Sequence, residues 1–157
     1  MNYNCCNLTL VFSLLLAIIT VSCNPVSEIG LRQKVNINNG WQYLEHNART
    51  VDEALTHSAW QEIDLPHTWN AKDATDLTPG YRRDGSWYRK KIKISKISAD
   101  EVYQLHFEGV NISSKVYVNG KNVGEHIGGY IGFNVDISKA LSEGKNQILV
   151  YVNNGYN

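Results

Sequence analysis

The chain has 157 residues, 43% of them hydrophobic, and its 15 Lys and Arg are balanced by 15 Asp and Glu. That length suits one ordinary domain and leaves no room for an accompanying (β/α)8 barrel, which takes about 250 residues by itself. A net charge of zero leaves no global field to draw the protein to nucleic acid or to an anionic surface.

Residues 8–21 form an apolar run without a charge. The run is shorter than the roughly 20 residues that cross a bilayer comfortably, and it suits the apolar region of a signal peptide. Ser22, Cys23, Asn24 and Pro25 follow. The segment resembles a bacterial lipoprotein signal, whose cysteine carries the lipid and becomes the mature N-terminus. That resemblance implies a signal at residues 1–22, lipidation of Cys23, a membrane partner reached through that lipid, and a place in the cell envelope, in the periplasm or on the outer membrane surface. No Lys or Arg precedes the run, and Thr20 stands where such signals carry Leu. An ordinary cleaved signal and an uncleaved anchor therefore stay open. Cys5, Cys6 and Cys23 are the only cysteines, so the rest of the chain has no thiol pair to crosslink and depends on packing. Residues 23–30 read as a polar tether to a domain at 31–157.

Beyond the tether, short strand-like runs alternate with Gly, Asn and Asp turns, the rhythm of an all-β sandwich. Residues 35–37, 41–44 and 61–64 read as strands. Residues 51–57 read as a short helix, with Val51, Ala54 and Leu55 on one stripe. In 87–94, Arg89, Lys91 and Lys93 share one face, with Tyr88, Ile92 and Ile94 opposite. The clearest strand is 102–108, where Tyr103, Leu105 and Phe107 alternate with Gln104, His106 and Glu108. Residues 115–118 lead into Asn119-Gly120, a strong hairpin signal because both positions accept positive φ, and 121–127 return. Residues 133–135 read as another strand. Asp136, Ile137 and Ser138 then open one helical turn in which Ile137 meets Leu141, and Gly144 and Asn146 end it. In 147–153, Ile148, Val150 and Val152 share a face. The fold class is all-β, with helix confined to turns.

Four ordered motifs carry a family resemblance. They are Leu65-Pro66-His67-Thr68-Trp69-Asn70, then Pro79-Gly80-Tyr81-Arg82-Arg83-Asp84-Gly85-Ser86-Trp87-Tyr88-Arg89-Lys90. Phe107-Glu108-Gly109-Val110 with Val116-Tyr117-Val118-Asn119-Gly120 makes the third. Val123-Gly124-Glu125-His126, Gly128-Gly129-Tyr130, Phe133 and Asp136 make the fourth. Together they resemble the N-terminal sugar-binding domain of glycoside hydrolase family 2, of the β-galactosidase-like kind. The resemblance implies a jelly-roll, galactose-binding-like β-sandwich. It also implies a catalytic barrel as partner and retaining hydrolysis of β-glycosides by two barrel glutamates held about 5–5.5 Å apart. Nothing here matches the motifs of those glutamates, and Glu108 and Glu125 belong to sandwich motifs, so no catalytic residue is assigned. Family members continue past residues 150–154 into a Gly-Gly-Ile-Tyr-Arg segment, so the sandwich is expected to lack its last strands, leaving a sheet edge unpaired.

The loop at 73–85 is the candidate sugar contact, because loops on rigid scaffolds carry recognition. It offers Asp73, Asp76, Tyr81, Arg82, Arg83 and Asp84, and with Trp69 the expected substrate-binding set is Tyr81, Arg82, Arg83, Asp84 and Trp69. The competing reading has Arg82 and Arg83 pair with local acids and merely hold the loop. Trp41 and Trp60 read as core, and so do Trp69 and Trp87, although these two flank irregular polar segments. The basic run at 82–96 alternates onto one strand face and reads as solvated, with no nucleic acid partner. His46, His57, His67, His106 and His126 lack metal-ligand spacing, so no metal or cofactor is expected, and His67 is expected to orient its turn. Asn111-Ile112-Ser113 fits a glycosylation acceptor that a bacterial lipoprotein would not use. Two functions follow. One is the amino-terminal part of a β-galactosidase-like enzyme, inert alone. The other is a free-standing, lipid-anchored module that binds a β-glycoside carbohydrate without hydrolysing it.

Overall fold

The computed structural model describes residues 32–155 apart from 46, 47, 72, 74, 76, 78 and 79. The signal segment, Cys23, the tether, His46 and Asp76 lie outside the described residues. Residues 35–37, expected as a strand, have no regular structure, and Val35 stands 75% exposed. No described strand pairs with them; the Ile37 carbonyl accepts instead from Trp41 Nε1 at 2.7 Å, a side-chain bond where a strand would have a ladder bond.

The elements run β1 (Trp41–Leu44), α1 (Val51–Thr56), β2 (Gln61–Ile63), β3 (Gly85–Ile94), β4 (Gln104–Phe107), β5 (Ser113–Val118), β6 (Lys121–Ile127), β7 (Phe133–Asp136), a 3-10 turn (Ser138–Ala140) and β8 (Gly144–Asn153). Six strands form one sheet in the order β2-β1-β3-β8-β5-β6, and β4 and β7 form a second. Every pairing is antiparallel. The β5–β6 hairpin turns on Asn119 and Gly120, with φ of 51° and 80°. These are the signs the two-residue hairpin turn requires. Helix α1 is short enough to need its cap: Thr50 Oγ1 accepts from the Glu53 backbone N–H at 3.1 Å, and Glu53 Oε2 accepts from the Arg49 N–H at 2.8 Å.

Period-2 alternation explains the layers. On the inner face of the large sheet, Trp41, Tyr43, Tyr88, Val116, Val118, Ile148, Val150 and Val152 pack against Leu105 and Val135 of the small sheet. The outer face is covered as well over its centre. Leu44, Trp87 and Leu149 lie beneath Ala48 and Ala54, with Val51, Leu55 and Trp60 around them. Trp87 is core, as read from the sequence: it is 2% exposed, and its Nε1 donates to the Ala48 carbonyl at 3.0 Å. The segment that buries it comes from 39 residues earlier, so no local pattern around residue 87 announces it.

Gly144 adopts φ +90° as the turn closes. Asn146 does not end that turn but lies within β8, buried, and knits the turn to the hairpin. Its Oδ1 accepts from Asn119 Nδ2 and from the Ser142 N–H, each at 2.8 Å, while its Nδ2 donates to the Ser142 carbonyl at 2.6 Å.

Candidate functional site at one end of the sandwich

Strand register determines which loops meet. Gly85 of β3 lies opposite Asn153 of β8, Asn153 opposite Ser113 of β5, and Ser113 opposite Ile127 of β6. The segment before Gly85, the segment after Ile127 and the residues leaving β8 therefore emerge from one end of the large sheet.

At this end an aromatic cluster floors the candidate loop. The Tyr43 ring lies 4.6 Å from His67, 5.3 Å from Tyr88 and 6.3 Å from Trp69, the last nearly parallel at 16°. His67 Nδ1 and the Tyr88 hydroxyl share a hydrogen bond of 3.0 Å. Burial pushes the His67 imidazole below its ordinary pKa and holds the Tyr88 and Tyr43 hydroxyls above theirs.

Arg82 spans this floor. Its guanidinium carbon sits 5.3 Å from the centre of the Trp69 ring. Nη1 donates to Tyr43 Oη and to Ser86 Oγ, each at 3.0 Å, and Nη2 donates to the Gly85 carbonyl at 2.9 Å. Glu45 at 4.0 Å and Asp84 at 3.8 Å add long ion pairs, of the partly exposed kind that contributes little. Directed hydrogen bonds from a charged fork are the stronger part.

The backbone of the loop is tied just as firmly. The Arg82 N–H donates to Asp73 Oδ2 at 2.8 Å, and Asn70 Nδ2 donates to that same carboxylate oxygen and, at 3.1 Å, to the Arg82 carbonyl. Asn154 closes the knot: its Nδ2 donates to Asn70 Oδ1 at 3.0 Å and to the Arg82 carbonyl at 2.9 Å, and its Oδ1 accepts from the Asp84 N–H at 2.9 Å.

Of the expected site residues, the structure brings Trp69, Arg82 and Asp84 together as this knot, each partly buried. Tyr81, 64% exposed, and Arg83, also exposed, flank Arg82 in sequence. Trp69 Nε1 is buried with no hydrogen-bond partner among the described residues. Tyr43, Asn70, Ser86 and Asn154 join the site without having been singled out from the sequence. Asn70 ends the first motif and Asn154 lies 84 residues later, and nothing in that spacing predicts that they touch. Among the described residues, no three His, Cys, Asp or Glu side chains are placed to hold a metal ion.

Residues 32–156 match the family described as glycosyl hydrolases family 2, sugar binding domain. The chain belongs to that family. Over 145 residues it is 54% identical to a protein of Formosa agariphila named "Putative beta-glucuronidase", covering 91% of this chain and 18% of that protein. It is 28% identical over 142 residues to the β-galactosidase BoGH2A of Bacteroides ovatus, covering 85% and 17%. Among solved structures it resembles the β-glucuronidase of Bacteroides uniformis, with a TM-score of 0.70, 33% identity, and coverage of 81% of this chain and 15% of that one. The family 2 sugar-binding sandwich thus spans under one fifth of the length of each of these relatives.

Two predictions follow from this geometry. Lysine keeps the charge of Arg82 but cannot reach three acceptors as a planar fork. Arg82→Lys should therefore destabilise the domain by about 1–3 kcal/mol, nearly as much as Arg82→Ala, in urea unfolding. A lysine variant with wild-type stability would show that charge alone matters there. His67 is held neutral by burial, so its contribution to stability is present above its ordinary pKa of 6.5 and is lost as pH falls below it, when the unfolded chain takes up the proton first. His67→Gln should flatten that acid-side decline relative to wild type between pH 7 and pH 5; an unchanged slope would exclude His67 as a source of it.

Proposed function

We propose that this sandwich serves as the amino-terminal sugar-binding domain of a longer family 2 glycosidase acting on β-galactosides or β-glucuronides. Its loop at 69–85 contributes to the rim of the sugar site. The observation that carries this reading is the division of the loop into an internal clamp and an outward face. Trp69, Arg82 and Asp84 are engaged with the protein, so they position the loop. Tyr81 and Arg83 are exposed beside that clamp, where an aromatic face and a planar donor suit a sugar ring and its hydroxyls or carboxylate. Hydrolysis itself would draw its paired carboxyl groups from the larger protein, as the sizes of the relatives support.

An antibody to the domain should detect a native product far above 17.7 kDa, and the captured product should cleave a chromogenic β-galactoside or β-glucuronide. In that product Tyr81→Ala and Arg83→Ala should raise KM roughly tenfold, with a smaller change in kcat. A band near 17.7 kDa that binds glycan without turnover would instead favour the free-standing module.

The same reading places the protein at the cell envelope by way of lipid on Cys23, supported by the apolar run at 8–21 and the Ser22-Cys23 junction. Cys23→Ser should abolish incorporation of labelled fatty acid and move the product from the membrane to the soluble fraction. Unchanged labelling and fractionation would refute the assignment.

A further inference from the structure

Asparagine precedes glycine at three places, Asn39-Gly40, Asn119-Gly120 and Asn154-Gly155. This dipeptide has a chemistry of its own. The glycine nitrogen can attack the asparagine side-chain carbonyl carbon, because the following residue has no Cβ to hinder the approach. The three copies stand in different surroundings.

Two of them are held. Asn119 Oδ1 accepts from the Gln147 N–H at 2.9 Å, and its Nδ2 donates to the Ala140 carbonyl at 2.9 Å and to Asn146 Oδ1 at 2.8 Å. Asn154 engages Asn70, Arg82 and Asp84 through both ends of its carboxamide. An amide held in this way cannot turn its carbon toward the next nitrogen without first breaking those bonds.

Asn39 differs. It is exposed, and its carboxamide has no hydrogen bond to any described residue. The peptide that joins it to Gly40 is polarised from both sides. Lys90 Nζ donates to the Asn39 main-chain carbonyl, and also to the Gly40 carbonyl at 3.2 Å. The N–H of that same peptide, on Gly40, donates to Asp64 Oδ1 at 2.6 Å. An ammonium on the carbonyl oxygen draws electron density from the nitrogen, and a carboxylate stands within reach of the proton that must leave. The N–H lies in the peptide plane, so its bond to Asp64 leaves the faces of the nitrogen clear.

Register assembles these groups. Trp41 lies opposite Ile63, which brings Gly40 and Asp64 together just beyond the β1–β2 pair. Gln42 lies opposite Arg89, so Lys90 stands on β3 beside the start of β1. Gly40 holds φ +63°, which a side chain would resist, so the turn itself calls for glycine after Asn39.

We propose that Asn39 is a site of self-modification. Gly40 N bonds to Asn39 Cγ while its proton passes to Asp64, and Asp64 returns that proton to the side-chain nitrogen, which leaves as ammonia. One water then opens the resulting succinimide at either carbonyl, leaving aspartate or isoaspartate at position 39. The isoaspartate form routes the main chain through the former side chain and lengthens it by one carbon. This falls inside the turn that Trp41 Nε1 closes by donating to the Ile37 carbonyl at 2.7 Å, so the change strikes the anchor of β1.

The test incubates the native protein at neutral pH and physiological temperature. Peptides holding the three asparagines are followed by mass spectrometry for exchange of the amide NH2 for OH, and isoaspartate is read by enzymatic methylation. In the folded protein Asn39 should convert about tenfold faster than Asn119 or Asn154, whose bonds must break first, and the difference should vanish in urea. Conversion of Asn39 no faster than the others, or a difference that survives in urea, would overturn the proposal. Asp64→Asn alters an exposed side chain, and near-ultraviolet circular dichroism checks that the variant folds. It should slow conversion of Asn39 by about a hundredfold, as loss of a positioned base does. Equal or faster conversion in that variant would mean that Asp64 only restrains the turn, and would overturn the assisted step. A covalent link between the peptides of Asn39 and Lys90, formed with loss of ammonia, would replace attack by Gly40 with attack by the lysine amine and overturn the proposal.

Discussion

The ten-residue antiparallel ladder between β3 and β8 is the constraint on which the rest of the domain depends. It pairs Gly85 with Asn153 at one end and Ile94 with Gly144 at the other, joining segments about sixty residues apart at the middle of the large sheet. β8 is buried on both faces over part of its length: Ile148 and Val150 lie under the small sheet, and Leu149 lies under the segment that carries α1. A strand covered on both sides cannot slip by one residue without exchanging its two faces. Every loop at the candidate end inherits its position from that register.

Arg82 shows how such a frame converts a surface-type residue into part of the interior. Three hydrogen bonds to neutral oxygens engage its guanidinium, its side chain keeps 24% of its exposure, and the Trp69 ring lies beside it. Its acidic neighbours are at the outer limit of an ion pair, so the fork geometry, not charge neutralisation, fixes the side chain. Removing the fork would leave the Tyr43 hydroxyl and the Gly85 carbonyl short of a donor in a partly buried place, the expensive way to lose a hydrogen bond. Arg83, one residue on, is exposed, so two adjacent arginines differ in burial although they share a loop.

The strands were legible where one face is buried and the other wet. Val116 and Val118, Leu105, and the trio Ile148, Val150 and Val152 all lie on the faces their alternation indicates, and Asn119-Gly120 turns where a two-residue hairpin must. Legibility ended where burial is set at long range. Trp87 reads as core, but its cover, Ala48 and α1, comes from a segment that no pattern around residue 87 names. Asn146 carries the mark of a turn residue, yet it is a buried strand residue that satisfies the turn from below. The candidate loop was legible as a set of polar residues, but its internal order was not. That order depends on Asn70 and Asn154, 84 residues apart, sharing one hydrogen bond, and no local period encodes a pair so distant.

That distant pair also bears on how the loop is held in one shape. A polar segment without regular structure gains rigidity only by satisfying its backbone through side chains. Here Asp73 serves the Arg82 N–H, Asn154 serves the Arg82 carbonyl and the Asp84 N–H, and Asp84 Oδ1 serves the Gly85 N–H. Four attachments, at Arg82, Asp84 and Gly85, leave Tyr81 and Arg83 mounted on a fixed backbone, the kind of ordering that reduces the entropy a loop loses in any contact it makes. Because Asn154 belongs to the residues leaving β8, the order of the loop depends on the closed central ladder, and it is as secure as the register of β8.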